Sequence, residues 1–236
     1  MTQDLRNLFN GYNKKFESLK KLLQGELPRS LRLFNIRLRL ALDIQIDFKG
    51  ELSLTKTKKV KDTYVLIIRM MECWNAYEAL FHYAKEKNYA NSNTSIYKAY
   101  SQTFLTEAGS LGILKQTLDN LKNKYNNDGH FKDDFDQYID RIDNDNRIRD
   151  RLKECCKDSA EYFNGRKNIS GIEIIALIYA ERNMYYHNGE TAKMGMRYPN
   201  RQHLINEYTS CFYRHILILT TKILEKEIEA NKNSRS

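Results

Sequence analysis

Two prolines and ten glycines are all that 236 residues contain, so this chain has few places to turn or break. Proline lacks the N–H that a helix interior needs, and glycine costs about 1 kcal/mol there relative to alanine. A chain poor in both favours long helices over a β fold with many turns, and predicts a mainly α protein. Hydrophobic residues make up 41% of it, enough for a buried core. The length suits one domain, or one domain with an extension.

Periodicity divides the chain. Leu5, Leu8, Phe9, Tyr12, Phe16 and Leu19 recur at helical spacing, which predicts an amphipathic helix from residue 3 to about residue 23. Beyond Pro28, every even position from Phe34 to Phe48 is apolar: Phe34, Ile36, Leu38, Leu40, Leu42, Ile44, Ile46, Phe48. A period of two predicts extended structure, a bent strand or a hairpin with Gly50 as its turn, with Arg37, Arg39, Asp43, Gln45 and Asp47 opposite. Residues 1–58 therefore read as an N-terminal extension of helix plus short β segment, joined to a helical domain over 59–236.

Lys56, Lys58, Lys59 and Lys61 form a basic loop in this reading, either a solvated linker or an RNA-contacting segment. Asp62 is then the cap of a strong helix carrying Ile67, Met70, Met71, Trp74, Tyr77 and Phe81. Residues 89–110 predict a loop and a short helix. Helical patterns follow at Leu111–Leu121, at Phe131–Ile142 after Asn126-Asn127-Asp128-Gly129, and from about 146 to 163. The last helix, from Asn200 to about Ala230, includes Ile216-Leu217-Ile218-Leu219, apolar all round. It should be covered on more than one side, by the bundle or by a second subunit.

Composition narrows the partners. Lys and Arg exceed Asp and Glu by 39 − 30, a net charge of +9 that suits a polyanion such as RNA. No apolar run approaches a membrane span, and Met1-Thr2-Gln3-Asp4 is no signal-peptide start, so a cytoplasmic protein is expected. Cys73, Cys155, Cys156 and Cys211 lack CxxC spacing and read as reduced thiols, with Cys73 and Cys211 as core fillers. His82, His130, His187, His203 and His215 include no HExxH, and no Cys/His spacing suits zinc. An EF-hand starting at Asp143 would put Arg147 at a ligand position and Ile148 where glycine must turn. Walker A, dinucleotide and GxSxG patterns are missing too, so no metal or cofactor is expected.

One segment remains that carries chemistry. Arg182-Asn183-Met184-Tyr185-Tyr186-His187 ends a helix whose earlier turns, Ile172 to Tyr179, are apolar enough to be buried. Ser170-Gly171-Ile172-Glu173 has capping-box spacing at its start, and Asn188-Gly189 can end it. Asn183 and His187 fall one above the other, while Arg182 and His187 diverge by about 140° on an ideal helix. They share a site only if the helix loosens or a second copy completes the set. Each residue also has a structural role open to it: Arg182 as a cation near a helix C-terminus, Asn183 as a solvated amide, His187 as part of a cap.

This arrangement resembles the Arg-x4-His motif of the HEPN superfamily, in which Arg, a polar residue and His lie late in a helical bundle before one last long helix. Arg182, Asn183 and His187 match that pattern. The resemblance implies a HEPN-like helical bundle and a metal-independent endoribonuclease, of toxin or antiviral-defence type, acting as a homodimer with a composite cleft. An antitoxin or defence-system partner would accompany it. Arg182 would hold the phosphate, Asn183 would orient phosphate or imidazole, and His187 would transfer a proton. RNA brings its own nucleophile, the 2′-hydroxyl, so such side chains suffice without a metal. Tyr185 and Tyr186 either stack on a base or pack in the fold, and Glu78 either supports Arg182 from the early helix that packs on the motif or is a surface carboxylate. Position 189 is glycine where toxins paired with nucleotidyltransferase antitoxins often carry tyrosine, which argues against regulation by modification there. The rival expectation is a HEPN-like module that binds RNA or assembles with partners without cleaving.

Overall fold

The computed structural model describes residues 3–47, 49–50, 57–91, 93–188 and 200–234, with the side chains of residues 186–188 outside the described set. Among the described residues it is an all-helical bundle: α1 (Gln3–Leu22), α2 (Arg29–Asp43), α3 (Lys58–Glu86), a 3₁₀ turn (Ile96–Lys98), α4 (Gln102–Ala108), α5 (Ser110–Asn127), α6 (Gly129–Asn144), α7 (Asp150–Phe163), α8 (Glu173–Asn188) and α9 (Arg201–Asn233). No helix among these residues is long and apolar enough to cross a membrane.

The two longest helices organise the rest. α3 and α9 pack against each other; α2 lies along α3 and α1 along α9. Trp74 of α3 is sandwiched, its ring 4.8 Å from Tyr179 of α8 and 5.4 Å from Phe212 of α9, nearly parallel to both. One indole thus joins three helices, in the offset-stacked geometry that aromatic rings favour. The N-terminal helices share this core through Tyr12, Phe16, Leu19, Leu31, Phe34 and Leu38. Polar ties reinforce them: Tyr12 Oη donates to Asn35 Oδ1 at 2.7 Å, Arg37 Nη1 donates to both carboxylate oxygens of Glu72 at 2.9 and 3.2 Å, and the Tyr213 hydroxyl donates to the Ala41 carbonyl.

Residues 34–43 are helical, which corrects the β segment expected from the alternation of apolar residues. The even positions split between two helix faces. Phe34 and Leu38 join Leu31 and Ala41 in the core, at the spacing of one helical stripe, while Ile36 and Leu40 point outward. The basic loop is corrected as well. Thr57, not Asp62, caps α3, its hydroxyl accepting from Val60 N–H, so Lys58, Lys59 and Lys61 occupy the first turn of a helix. Asp62 pairs with Lys58 at 2.7 Å. Lys56 lies outside the described residues.

Ile216, Leu217 and Leu219 are fully buried, and α1, α3 and α5 all pack on α9. The bundle itself covers these three on all sides, while Ile218 is half-buried in a groove beside α1. All four cysteines are buried free thiols, and burial pushes Cys73 well up and Cys211 to about 12.

Candidate functional site

α8 starts on a tight joint. Glu173 reaches back so that its Oε2 accepts from Gly171 N–H at 3.0 Å and from Ser170 Oγ at 3.3 Å. Gly171 sits at φ +110°, and a Cβ there would lie 2.7 Å from the backbone nitrogen of Lys115 on α5. Glycine is required on both counts, since no side chain fits that conformation or that gap. Ile174, Ile175, Ala176, Leu177 and Ile178 are then buried, with α8 enclosed by α3, α5, α7 and α9.

Past Ala180 the helix turns polar. Glu181 is 1% exposed and pairs with Arg201, 3% exposed, at 2.9 Å. The Arg201 guanidinium also lies 5.0 Å from the centre of the Tyr185 ring. Tyr185 is buried beneath that cation, as the packing alternative for it expects. Arg182 and Asn183 are half-buried and joined, Arg182 Nη1 donating to Asn183 Oδ1 at 3.0 Å. The backbone stays α-helical through Asn188, so nothing in its path turns position 187 toward Arg182. The side chains of Tyr186 and His187 lie outside the described residues.

Asn183 forms part of the wall of a cleft of about 750 Å³, beside Tyr179 one turn earlier. The 3₁₀ turn contributes Ser95, Ile96 and Tyr97; the start of α7 and the segment before it contribute Arg147, Arg149, Arg151 and Leu152. Tyr179 backs onto Trp74 on one side and meets Tyr97 at 5.8 Å. Ile148 and Leu152 are buried anchors, and the arginines alternate with Ile148 so that they project from it. Arg147 is held by Asp145, its Nε at 2.9 Å from Oδ1. The side chains of Arg149 and Arg151 form no hydrogen bond or ion pair with another described residue, and none of the described lining residues is acidic. α7 also begins here without a side-chain cap, so its first N–H groups add positive potential, partly offset by Asp150.

Sequence reasoning missed these three arginines. Their signal is the alternation Arg147-Ile148-Arg149-Asp150-Arg151, hidden because the stretch reads as the opening of a charged helix that in fact begins at Asp150. Glu78 turns toward its own helix and not toward Arg182. Its Oε1 accepts from Trp74 Nε1 at 2.7 Å, so it reaches the motif helix only through the Trp74–Tyr179 stack. Lys58 and Lys59 lie elsewhere, about 24 Å along α3 from Trp74 at 1.5 Å per residue. A second basic groove, lined by Lys14, Lys15, Lys21 and Lys232 between α1 and α9, contains no residue of the motif.

Comparison with protein families, with curated proteins and with solved structures finds no match to this chain.

Proposed function

We propose that this protein is a metal-independent endoribonuclease of HEPN type, working as a homodimer in a toxin–antitoxin or antiviral-defence setting in the cytoplasm. The observation that carries the reading is the position of Asn183, the middle residue of the Arg-x4-His pattern, in the wall of a cleft with three arginines. Guanidinium groups match phosphate oxygens in a planar, bidentate fashion, and a row of them beside an aromatic wall suits a nucleotide chain. A straight helix through Asn188 supports completion of the site by a second copy, because Arg182 and His187 then diverge by about 140° within one chain.

In this mechanism Arg182 binds the scissile phosphate and stabilises the charge that builds on it. One His187 takes the proton from the 2′-hydroxyl as that oxygen attacks phosphorus. The bond from phosphorus to the 5′-oxygen breaks, and the partner's His187 gives that oxygen a proton. The products are a 2′,3′-cyclic phosphate and a 5′-hydroxyl. Imidazole suits both roles because its ordinary pKa lies near neutrality.

Incubating the purified protein with RNA in EDTA and mapping the ends tests this. Cleavage that persists and leaves cyclic phosphates is expected, and His187→Ala should lose at least roughly 10²-fold in rate with the helical signal intact. A strict magnesium requirement, or 3′-hydroxyl ends, would sink it. Tight RNA binding without any cleavage would instead favour a HEPN-like module that binds and assembles, the second reading that the same arginine-lined cleft supports.

A further inference from the structure

Among the described residues, the exposed large apolar side chains are Leu33, Ile36 and Leu40, at 44, 60 and 40% exposure, and all three belong to α2. They sit at spacings of three and four, so they form one stripe along the face of α2 that turns away from α3. Arg29 extends the stripe by four residues at one end and Asp43 by three at the other. Both are exposed, and neither forms an ion pair or side-chain hydrogen bond with a described residue. Contiguous exposed apolar side chains rimmed by charge mark a surface suited to contact.

The stripe is symmetric about Ile36. At 1.5 Å per residue, Arg29 lies about 10.5 Å before Ile36 and Asp43 about 10.5 Å after it. Leu33 lies about 4.5 Å before and Leu40 about 6 Å after. A second α2 laid antiparallel across a two-fold axis at Ile36 therefore sets Leu33 against Leu40 and Arg29 against Asp43, twice over. A parallel arrangement would set Arg29 against Arg29. We propose that this face of α2 is a self-recognition surface, and that its occupant is the α2 of a second copy of this chain. Self-complementary patches are what an isologous two-fold interface requires. None of these residues lines the arginine cleft, so the proposal does not rest on the nuclease reading.

Sedimentation of the full chain across micromolar concentrations tests it through mass and not through activity. Ile36→Asp should halve the assembled mass whether or not the Arg182–His187 segments also pair. The circular dichroism of the folded chain should hold, since within one chain Ile36 is largely in solvent. Arg29→Asp alone and Asp43→Arg alone should each weaken association roughly threefold to tenfold, the scale of exposed ion pairs counted twice. The double variant Arg29→Asp/Asp43→Arg should restore it. A chain that never associates, an assembly indifferent to Ile36→Asp, or a double swap that fails to restore would each overturn the proposal. So would binding to anionic lipid vesicles that Ile36→Asp abolishes while the protein alone stays monomeric.

Discussion

Glu181 in the middle of α8 and Arg201 at the start of α9 meet at 2.9 Å, and both are almost wholly shut away from water. Two charges taken out of water together depend on each other. Removing one leaves the other buried and uncompensated, at a cost of about 3–5 kcal/mol, whereas replacing both by apolar groups of similar volume is often close to neutral. Arg201→Met is therefore expected to lower stability by that amount in urea unfolding, and Glu181→Leu/Arg201→Met to recover much of it. Equal losses in the single and the double variant would show that the two do not act as a pair.

Arg149 and Arg151 should serve RNA affinity and not the fold, because both are exposed and no described residue bonds to either side chain. Arg149→Ala/Arg151→Ala should weaken binding of a single-stranded RNA. The slope of log affinity against log salt should become shallower by about 0.7 for each phosphate that the protein ceases to neutralise. Thermal melting should stay the same. An unchanged salt slope would place the phosphates elsewhere, with the lysine groove between α1 and α9 as the next surface to test.

Much of the bundle is legible from periodicity, because burial on one face repeats at the helical period. The region from Phe34 to Leu42 is not, and the reason is physical. An alternation of apolar residues distributes them over opposite faces of a helix as readily as over one face of a strand. Phe34 and Leu38 find the core, while Ile36 and Leu40 stay exposed. Local chemistry misleads at the start of α3, where Thr57 takes the capping role and draws the lysines into the helix. Burial of α8 follows from its run of isoleucine and leucine. The arginines opposite Asn183 do not follow from it, because the packing of α7 on α8 brings them there from a different segment.

Gly171→Ala should be disproportionately harmful for a one-carbon change. The residue would have to hold φ +110° and place its Cβ 2.7 Å from the Lys115 backbone nitrogen. Left-handed strain alone is worth about 1–3 kcal/mol, and the collision adds to it. Denaturant midpoints should drop accordingly. A variant as stable as the parent would show that α8 can shift away from α5 at little cost.

His215 is fully buried against Tyr77 and Phe212, and desolvation pushes its pKa from the ordinary 6.5 down to about 3. The folded chain keeps this ring neutral while the unfolded chain protonates it. Its effect on stability is thus absent above about pH 6.5 and grows as acid is added from 6.5 toward 3, at up to about 1.4 kcal/mol per pH unit. Unfolding of the parent and of His215→Leu should be compared at pH 7.5 and pH 5. The variant should gain about 2 kcal/mol relative to the parent over that interval. A difference that stays constant with pH would mean that the ring is protonated inside, or reached by water.

The chain has a single tryptophan, and the stack of Trp74 on Tyr179 puts it directly behind the cleft wall. That placement makes the protein its own fluorophore. An oligonucleotide that settles against Tyr179 changes the surroundings of the indole without touching it, so occupancy can be followed by emission from unlabelled protein, with no competing signal from a second indole elsewhere.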